Sequence, residues 1–154
     1  KGLVDNAVAD GAKLLAGGGR PAGLNAGHYL APTVLTDVTE TMEVYRQETF
    51  GPIVSIVSFD DQTDLLRMAN DCEEGGLTAY IFTRDLARAE HYAAHLRYGE
   101  IQINGVKYDI DLPHGGIGQA GIGHDCSSLA LHDYLVQKRI TRALDTTTFG
   151  GLNP

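Results

Sequence analysis

The chain has 154 residues, of which 43% are hydrophobic and 21% charged, and its formal net charge at pH 7 is -8. These values are typical of one folded domain with a buried core and exclude an intrinsically disordered chain. The acidic balance argues against nucleic acid or an anionic membrane as a partner, and no apolar run approaches the roughly 20 residues of a bilayer span.

The first third of the chain predicts one helix and one irregular strand. Residues 2–15 carry apolar side chains at helical spacing, with Gly11 on the same face, and the glycines from Gly17 onward end the predicted helix. Residues 29–35 predict a strand. Pro32 lies inside it and favours an edge or an irregular extended piece.

The middle of the chain alternates strand and helix patterns. Asp60 or Asp61 is suited to cap the first of these helices. The order predicts right-handed βαβ crossovers in a mainly parallel sheet, and therefore an α/β fold. The predicted strands are 53–59 (buried), 78–83 and 100–104, and the predicted helices are 62–72 and 84–98.

Beyond Asn104 the pattern becomes irregular. Residues 105–125 are rich in glycine and predict a loop, and a short helix is predicted at about 127–135. Residues 137–144 predict one more strand. The last ten residues show no core pattern, and no linker separates a second domain.

Glu48 and Phe50 are the pair of side chains that most clearly indicates a ligand site. They are two positions apart, just before Gly-Pro and a predicted strand. In an extended segment such residues project to the same side, where they offer one ligand a hydrogen-bond acceptor and a flat apolar face. The alternative is a solvated acid beside a phenylalanine buried in the core.

Other motifs indicate structure more than chemistry. Residues 116–121 read GxGxxG, but Pro113 precedes them where a strand should end, which favours an irregular turn over a phosphate cradle. His91 and His95 have a metal-compatible spacing without a third ligand, and we expect no metal site. The loop residues Lys107, Tyr108 and His114 are candidates for substrate contacts, with a solvated loop as the alternative.

The two cysteines, Cys72 and Cys126, do not form a Cys-x-x-Cys pair and predict reduced thiols. Cys126 lies among His124, Asp125 and Ser127, and a helix cap explains that segment more simply than a catalytic group does. In the absence of a signal-peptide pattern, we expect a cytoplasmic protein.

Several segments in order resemble the C-terminal third of the NAD(P)-dependent aldehyde dehydrogenase superfamily. Glu48-Thr49-Phe50-Gly51-Pro52 matches the E-x-F-G-P motif of that family. Asn70 matches a family asparagine, although the gap that follows is one residue longer here. The remaining matches are GAKLLAGG at 11–18, YLAPTVL at 29–35, GLTAYIFTRD at 76–85, GEIQIN at 99–104 and PHGG at 113–116.

The resemblance implies roles for particular residues. Glu48 would bind the ribose hydroxyls next to the nicotinamide of NAD or NADP, and Phe50 would pack against the nicotinamide. The loop from Lys107 through Tyr108 to His114 would line the aldehyde tunnel. Residues 1–136 would belong to the catalytic domain, and 137–154 would hold the oligomerisation strand (137–144) and the tail of a homo-oligomer.

The resemblance also implies that the nucleophilic cysteine, which forms a thiohemiacetal, lies upstream together with the general-base Glu and the oxyanion Asn. The chain begins at Lys1, and we expect a fragment of the enzyme. The alternative is a truncated, non-catalytic module for binding or oligomerisation. The chain departs from the family pattern at four positions. It has Gly75 where the family has Tyr, His114 where the family has an aromatic residue, Gly118 where the family has Lys, and Ala120 where the family has Ser.

Overall fold

The computed structural model describes residues 1–71, 74–107 and 109–142. Helices and strands alternate along most of the chain, as in an α/β fold. The helices are α1 (Gly2–Ala9), α2 (Glu43–Arg46), α3 (Gln62–Asn70) and α4 (Leu86–His95), with 3-10 turns at Gly118–Ala120 and Ser128–Tyr134. The strands are β1 (Lys13–Ala16), β2 (Thr33–Thr36), β3 (Ile53–Ser55), β4 (Thr78–Ile81), β5 (Glu100–Ile103), β6 (His114–Gly115) and β7 (His124–Asp125).

The first sheet has the order β1-β2-β3, with β1 antiparallel and β3 parallel to β2. Its core is built from α1, β2 and the segment around α2, where Val4, Leu35, Met42 and Val44 are buried. Burial of these side chains is the main stabilising contribution in this half of the chain, at about 1.5–3 kcal/mol for each large aliphatic group.

The predicted helix over residues 2–15 is wrong beyond Ala9. Gly11 takes a φ of +109°, which reverses the chain, and the amide of Ala12 donates a hydrogen bond of 2.9 Å to the Ala7 carbonyl. A positive φ of this kind suits glycine and ends an α-helix. The residues that follow form β1, in which Lys13 pairs with Thr36.

Strand β2 lies at the centre of its sheet, so the predicted edge position is wrong. Pro32 comes one residue before the strand begins, and its missing amide is not needed in the hydrogen-bond ladder. The ladder starts at Thr33, whose amide donates to the Pro52 carbonyl at 2.8 Å.

Strand β3 is shorter than the predicted 53–59 and is not fully buried. Val54 is 58% exposed, and Ile56 and Phe59 are also exposed. Within the described residues β3 pairs with β2 alone, so one edge and one face have nothing packed on them. Ile53 and Val57 still pack against the first core, so the apolar segment has one face on the core and one on the surface of this chain.

The second sheet confirms the predicted βαβ unit. Strands β4 and β5 are parallel, with Thr78 opposite Glu100 and Ile81 opposite Ile103, and α4 connects them. The buried side chains of this half are Ile81, Ala89 and Tyr92.

Helix α3 starts at the predicted residue with Asp61 as its cap, and α4 starts at Leu86, two residues after the predicted start, with Asp85 as its cap. Asp61 accepts a hydrogen bond from the Thr63 amide at 2.7 Å, and Asp85 accepts one from the Arg88 amide at 3.0 Å. Each carboxylate satisfies an amide that the first helical turn leaves without a partner.

The described residues form three small sheets, in which the pairs β2-β3 and β4-β5 are parallel, so a continuous parallel sheet stays a prediction. Side chains on α2 and α3 connect the two halves. The Tyr45 hydroxyl donates to the Met68 carbonyl at 2.7 Å, and Arg67 forms a two-pronged ion pair with Glu40 at 2.7 and 2.8 Å.

The C-terminal part forms the β6-β7 hairpin and two 3-10 turns. The predicted helix at about 127–135 is the second of these turns, and Ser127 caps it by accepting from the Leu129 amide at 3.2 Å. Residues 137–142 adopt no strand, while 143, 144 and the tail lie outside the described residues. None of the helices described is long and apolar enough to cross a membrane.

Candidate functional site

Glu48 and Phe50 line one cavity, of about 670 Å³, between the two halves of the chain. The opposite wall comes from the loop before β4 and from the first 3-10 turn. The remaining lining residues are Glu74, Gly75, Gly76, Leu77, Thr78, Tyr98, Gln119 and Ala120.

The backbone holds Phe50 outward at this cavity. Phe50 has a φ of +40° and is 91% exposed. The alternative in which Phe50 packs in the core is therefore wrong. A bulky residue keeps a left-handed conformation when its surroundings enforce it, and such conformations cluster at ligand sites. Here the Ile53 amide donates to the Gly51 carbonyl at 2.8 Å, which tightens the turn that follows Phe50.

Glu48 is exposed and is anchored through its backbone. Its amide donates to the Glu74 carboxylate at 2.5 Å, which connects the segment after α2 with the loop before β4. Nearby, the hydroxyl of Tyr98 donates to the Ala69 carbonyl at 2.9 Å and fixes an aromatic ring in the wall. The cavity thus combines two carboxylates with two aromatic rings.

The glycine-rich segment reaches this cavity as an irregular turn, as predicted. The amide of Ile117 donates to the Gly76 carbonyl at 3.1 Å, and Gly76 has a φ of +132°. A Cβ on Gly76 would overlap the Ile117 carbonyl, so this contact requires glycine. A 3-10 turn follows instead of an α-helix, so the segment lacks the helix start of a dinucleotide fingerprint.

Two of the positions that depart from the family pattern, Gly75 and Ala120, line this same cavity. Each carries a smaller side chain than the Tyr or Ser of the pattern. The wall contributed by Gly75 and Ala120 is therefore built from small residues.

A second cavity, of about 380 Å³, collects Lys107 and His114 beside β5. Tyr108, the third predicted pocket residue, lies outside the described residues. Lys107 is 86% exposed on its side chain, and its Nζ lies 3.9 Å from Asp109 Oδ2. The rest of the lining is Gly99, Glu100, Ile101, Gln102, Asp109, Leu112 and Pro113.

Glu100 is the functional candidate that the sequence reasoning missed. Its carboxylate accepts hydrogen bonds from Gln102 Nε2 at 2.6 Å, Thr78 Oγ1 at 3.2 Å and His114 Nδ1 at 2.9 Å. These donors, that of Gln102 first, lower the pKa of Glu100 from its ordinary value and outweigh the opposing effect of burial. The available signal was the alternation of polar Glu100 and Gln102 with Ile101 and Ile103 along β5.

His114 lies at the amino end of β5, because it bonds to Glu100, the first residue of that strand. The loop after β5 therefore runs back along the strand instead of staying at its carboxyl end, where small molecules usually bind in α/β folds. Lys107 and His114 come together along the side of β5.

Of the other candidates, His95 has a partner within its own helix. The ring of His95 donates from Nδ1 to the carbonyl oxygen of His91 at 2.7 Å, one turn back on α4. Cys126 is half-buried with a φ of +58°, directly before the Ser127 cap, and Cys72 lies outside the described residues. Among the described residues no three His, Cys, Asp or Glu side chains are placed to hold a metal ion.

The family model and the related sequences all indicate the same protein family. The family model for the aldehyde dehydrogenase family matches residues 1–140. The chain is 34% identical to a peroxisomal aminoaldehyde dehydrogenase of Pisum sativum over 98% of this chain and 30% of that protein. It is 42% identical to a betaine aldehyde dehydrogenase of Mesorhizobium japonicum over 85% of this chain and 27% of that protein.

Solved structures agree. An apo betaine aldehyde dehydrogenase from Staphylococcus aureus matches with a TM-score of 0.84 at 33% identity, over 97% of this chain and 31% of that one. An aldehyde dehydrogenase of Mycobacterium tuberculosis complexed with NAD+ matches with a TM-score of 0.81 at 32% identity, over 86% of this chain and 27% of that one.

These matches define an α/β oxidoreductase fold, and the chain belongs to the aldehyde dehydrogenase family. The chain spans about 30% of the length of the curated relatives that it matches.

Proposed function

We propose that this chain is the C-terminal portion of an NAD(P)-dependent aldehyde dehydrogenase. The whole enzyme oxidises an aldehyde to a carboxylic acid through a cysteine thiohemiacetal, with the nucleophilic Cys, the general-base Glu and the oxyanion Asn in a preceding segment. The observation that carries the proposal is the E-x-F-G-P segment at residues 48–52, which lines a cavity and holds Phe50 outward in a left-handed conformation.

The residues of this cavity fit a nicotinamide cofactor. A carboxylate such as Glu48 accepts hydrogen bonds from two neighbouring ribose hydroxyls, and Phe50 offers an apolar face that excludes water from the ring. The nicotinamide ring, when bound, supplies the acceptor for the hydride that leaves the substrate. The role of this chain is to hold and orient the cofactor, and the bond-making groups come from elsewhere in the enzyme.

The second cavity supports a role for Lys107 and His114 in binding the aldehyde, and the resemblance alone adds Tyr108 to this proposal. His114, Glu100 and Gln102 place polar groups in a lining that also contains Ile101, Leu112 and Pro113, which suits an aldehyde with a hydrogen-bonding group at its far end. The relatives include enzymes named for aminoaldehydes and for betaine aldehyde.

The division at residue 136 and a homo-oligomer formed through residues 137–144 complete the proposal. Residues 136–142 are exposed and form no strand in this chain, which leaves their backbone groups able to pair with a second copy. A cytoplasmic enzyme fits the reduced cysteines that the sequence predicts.

The test is Glu48→Gln in the full-length protein, with Glu90→Gln as a control because Glu90 is exposed on α4 away from both cavities. Reduction of NAD+ and NADP+ is followed with a panel of aldehydes. We expect Glu48→Gln to lower kcat for hydride transfer at least about tenfold, since one charge-assisted hydrogen bond is worth about 1.5–3 kcal/mol. Thermal unfolding should stay unchanged, and Glu90→Gln should match wild type.

Unchanged kinetics in a stable Glu48→Gln variant would contradict the cofactor role of Glu48. Failure of the full-length protein to reduce either cofactor with any aldehyde of the panel would favour a non-catalytic module instead. Oxidation of aldehyde by a polypeptide of these 154 residues alone would show that the catalytic groups have been placed wrongly.

A further inference from the structure

The Glu100 side chain is fixed by the sheet. It is the first residue of β5, directly opposite Thr78 of β4, and its Oε2 accepts from the Thr78 hydroxyl. Its other oxygen accepts from Gln102, two residues along on the same face of β5. Hydrogen bonds from two residues on the paired strands β4 and β5 thus restrain the carboxylate.

Close backbone packing brings His114 to this carboxylate. A Cβ on Gly99 would overlap the Gly115 carbonyl oxygen, so the start of β5 and the β6 hairpin approach as closely as two glycines allow. In the resulting pair the Glu100 and His114 side chains are 22% and 27% exposed. Both line the second cavity, and His114 also lines a neighbouring one of about 490 Å³.

The hydrogen bond defines the state of the imidazole. A carboxylate oxygen can only accept, so the proton of this bond is on His114 Nδ1. The ring is held in one orientation at the wall of the cavity by a hydrogen bond to a residue on strand β5. Hydrogen bonds from supporting residues of this kind keep the geometry of a binding site.

We propose that Glu100 is a positioning residue that sets substrate specificity: through the Nδ1 bond it fixes His114 as a polar wall of the aldehyde cavity, which selects aldehydes with a hydrogen-bonding group at the far end. This inference rests on the proposed function for the identity of the substrate. The orientation of His114 does not depend on it. Glu100 itself takes no part in the chemical step.

The selected class follows from the polar side chains Gln102 and His114 in the cavity lining. An alkyl chain placed against them would remove water from these polar groups without replacing it, which costs binding energy. An amino, hydroxyl or carboxylate tail would replace that water with its own hydrogen-bonding group. Three aldehydes of the same chain length, each with one of these tails, show by their KM values whether the cavity prefers a cationic, a neutral or an anionic tail.

The experiment compares wild type, Glu100→Gln and the Glu90→Gln control in the full-length protein. Glutamine keeps the shape of Glu100, but its amide can donate as well as accept and no longer requires the proton on His114 Nδ1. We expect KM for the preferred polar-tailed aldehyde to rise roughly tenfold, the loss of one oriented hydrogen bond, while its kcat and the KM of the matching alkanal change less than about twofold.

A second measurement does not use activity. Nitrogen-15 NMR of the histidines should show a proton held on Nδ1 of His114 in wild type and in Glu90→Gln, with a changed Nδ1 to Nε2 distribution in Glu100→Gln. A double-mutant cycle with His114→Phe completes the design. If Glu100 acts through His114, adding Glu100→Gln to His114→Phe should have no further effect on KM for the polar aldehyde.

Equal losses with polar and alkyl aldehydes, or additive effects in the cycle, would overturn the inference and leave Glu100 a structural residue. An unchanged imidazole spectrum in Glu100→Gln would overturn it as well. These failures are distinct from failure of the proposed function, which would appear as no aldehyde oxidation by the wild-type protein whatever the state of His114.

Discussion

Phe50 and Gly99 show how single residues shape the two cavities. Phe50 has a positive φ and its ring is exposed, so it adds nothing to the core and is free to contact the proposed cofactor. Gly99 acts in the opposite way, by having no side chain where two backbones meet. The first residue contributes a surface, and the second permits a contact.

Gly99→Ala is predicted to destabilise the protein by about 1–3 kcal/mol, because the new methyl group would overlap the Gly115 carbonyl and force β5 and β6 apart. The same shift should weaken the bond between His114 and Glu100. Denaturant unfolding of the full-length protein measures the change. The matched control is Gly19→Ala, since nothing lies within 4 Å of a Cβ at Gly19. Equal stability of the two variants would contradict the close approach.

At the scale of elements, α3 and α4 start where a carboxylate caps the first turn. Asp85→Ala is predicted to lower the free energy of unfolding by about 1 kcal/mol, because the amide of Arg88 loses its acceptor. Asp85→Asn is the matched variant and should retain most of the stability, since asparagine caps as well. Thermal unfolding compares them, and an equal loss in both variants would show that charge, rather than capping, is what matters at Asp85.

The elements that the sequence predicts well are those whose pattern is local. Strand β4, helix α4 and strand β5 lie within about 25 consecutive residues, which include the cap of the helix and the apolar faces of all three elements. All three form as expected. Strand β1 is different. All four of its residues are exposed, and the strand is held by backbone pairing with β2. Its side-chain pattern therefore does not indicate a strand, and its apolar residues fit the helical spacing of the preceding helix.

The difference between local and non-local patterns also separates Glu48 and Phe50 from Glu100. The first two stand together in a short motif and are visible in the sequence. The role of Glu100 depends on Thr78 and His114, which are 22 and 14 residues away and meet it through the sheet and a returning loop. Sequence periodicity places Glu100 on a strand face but does not show what that face meets.

For the whole molecule, the arrangement of two small cores explains where the first cavity lies. One core surrounds α1 and β2 and the other surrounds α4 and β4, with Tyr45 and Arg67 among the groups that join them. Glu48 and Phe50 come from the first half, and Gly75 to Thr78 and Tyr98 come from the second. A ligand in this cavity therefore contacts both halves, as expected for a binding site between structural units.

The most direct test of the account is a crystal structure of the full-length protein with NAD+ or NADP+ bound. Both hydroxyls of the nicotinamide ribose should lie within hydrogen-bond distance of the Glu48 carboxylate, with the nicotinamide side of the cofactor packed against the Phe50 ring. A well-ordered cofactor bound without contact to Glu48 and Phe50 would contradict it.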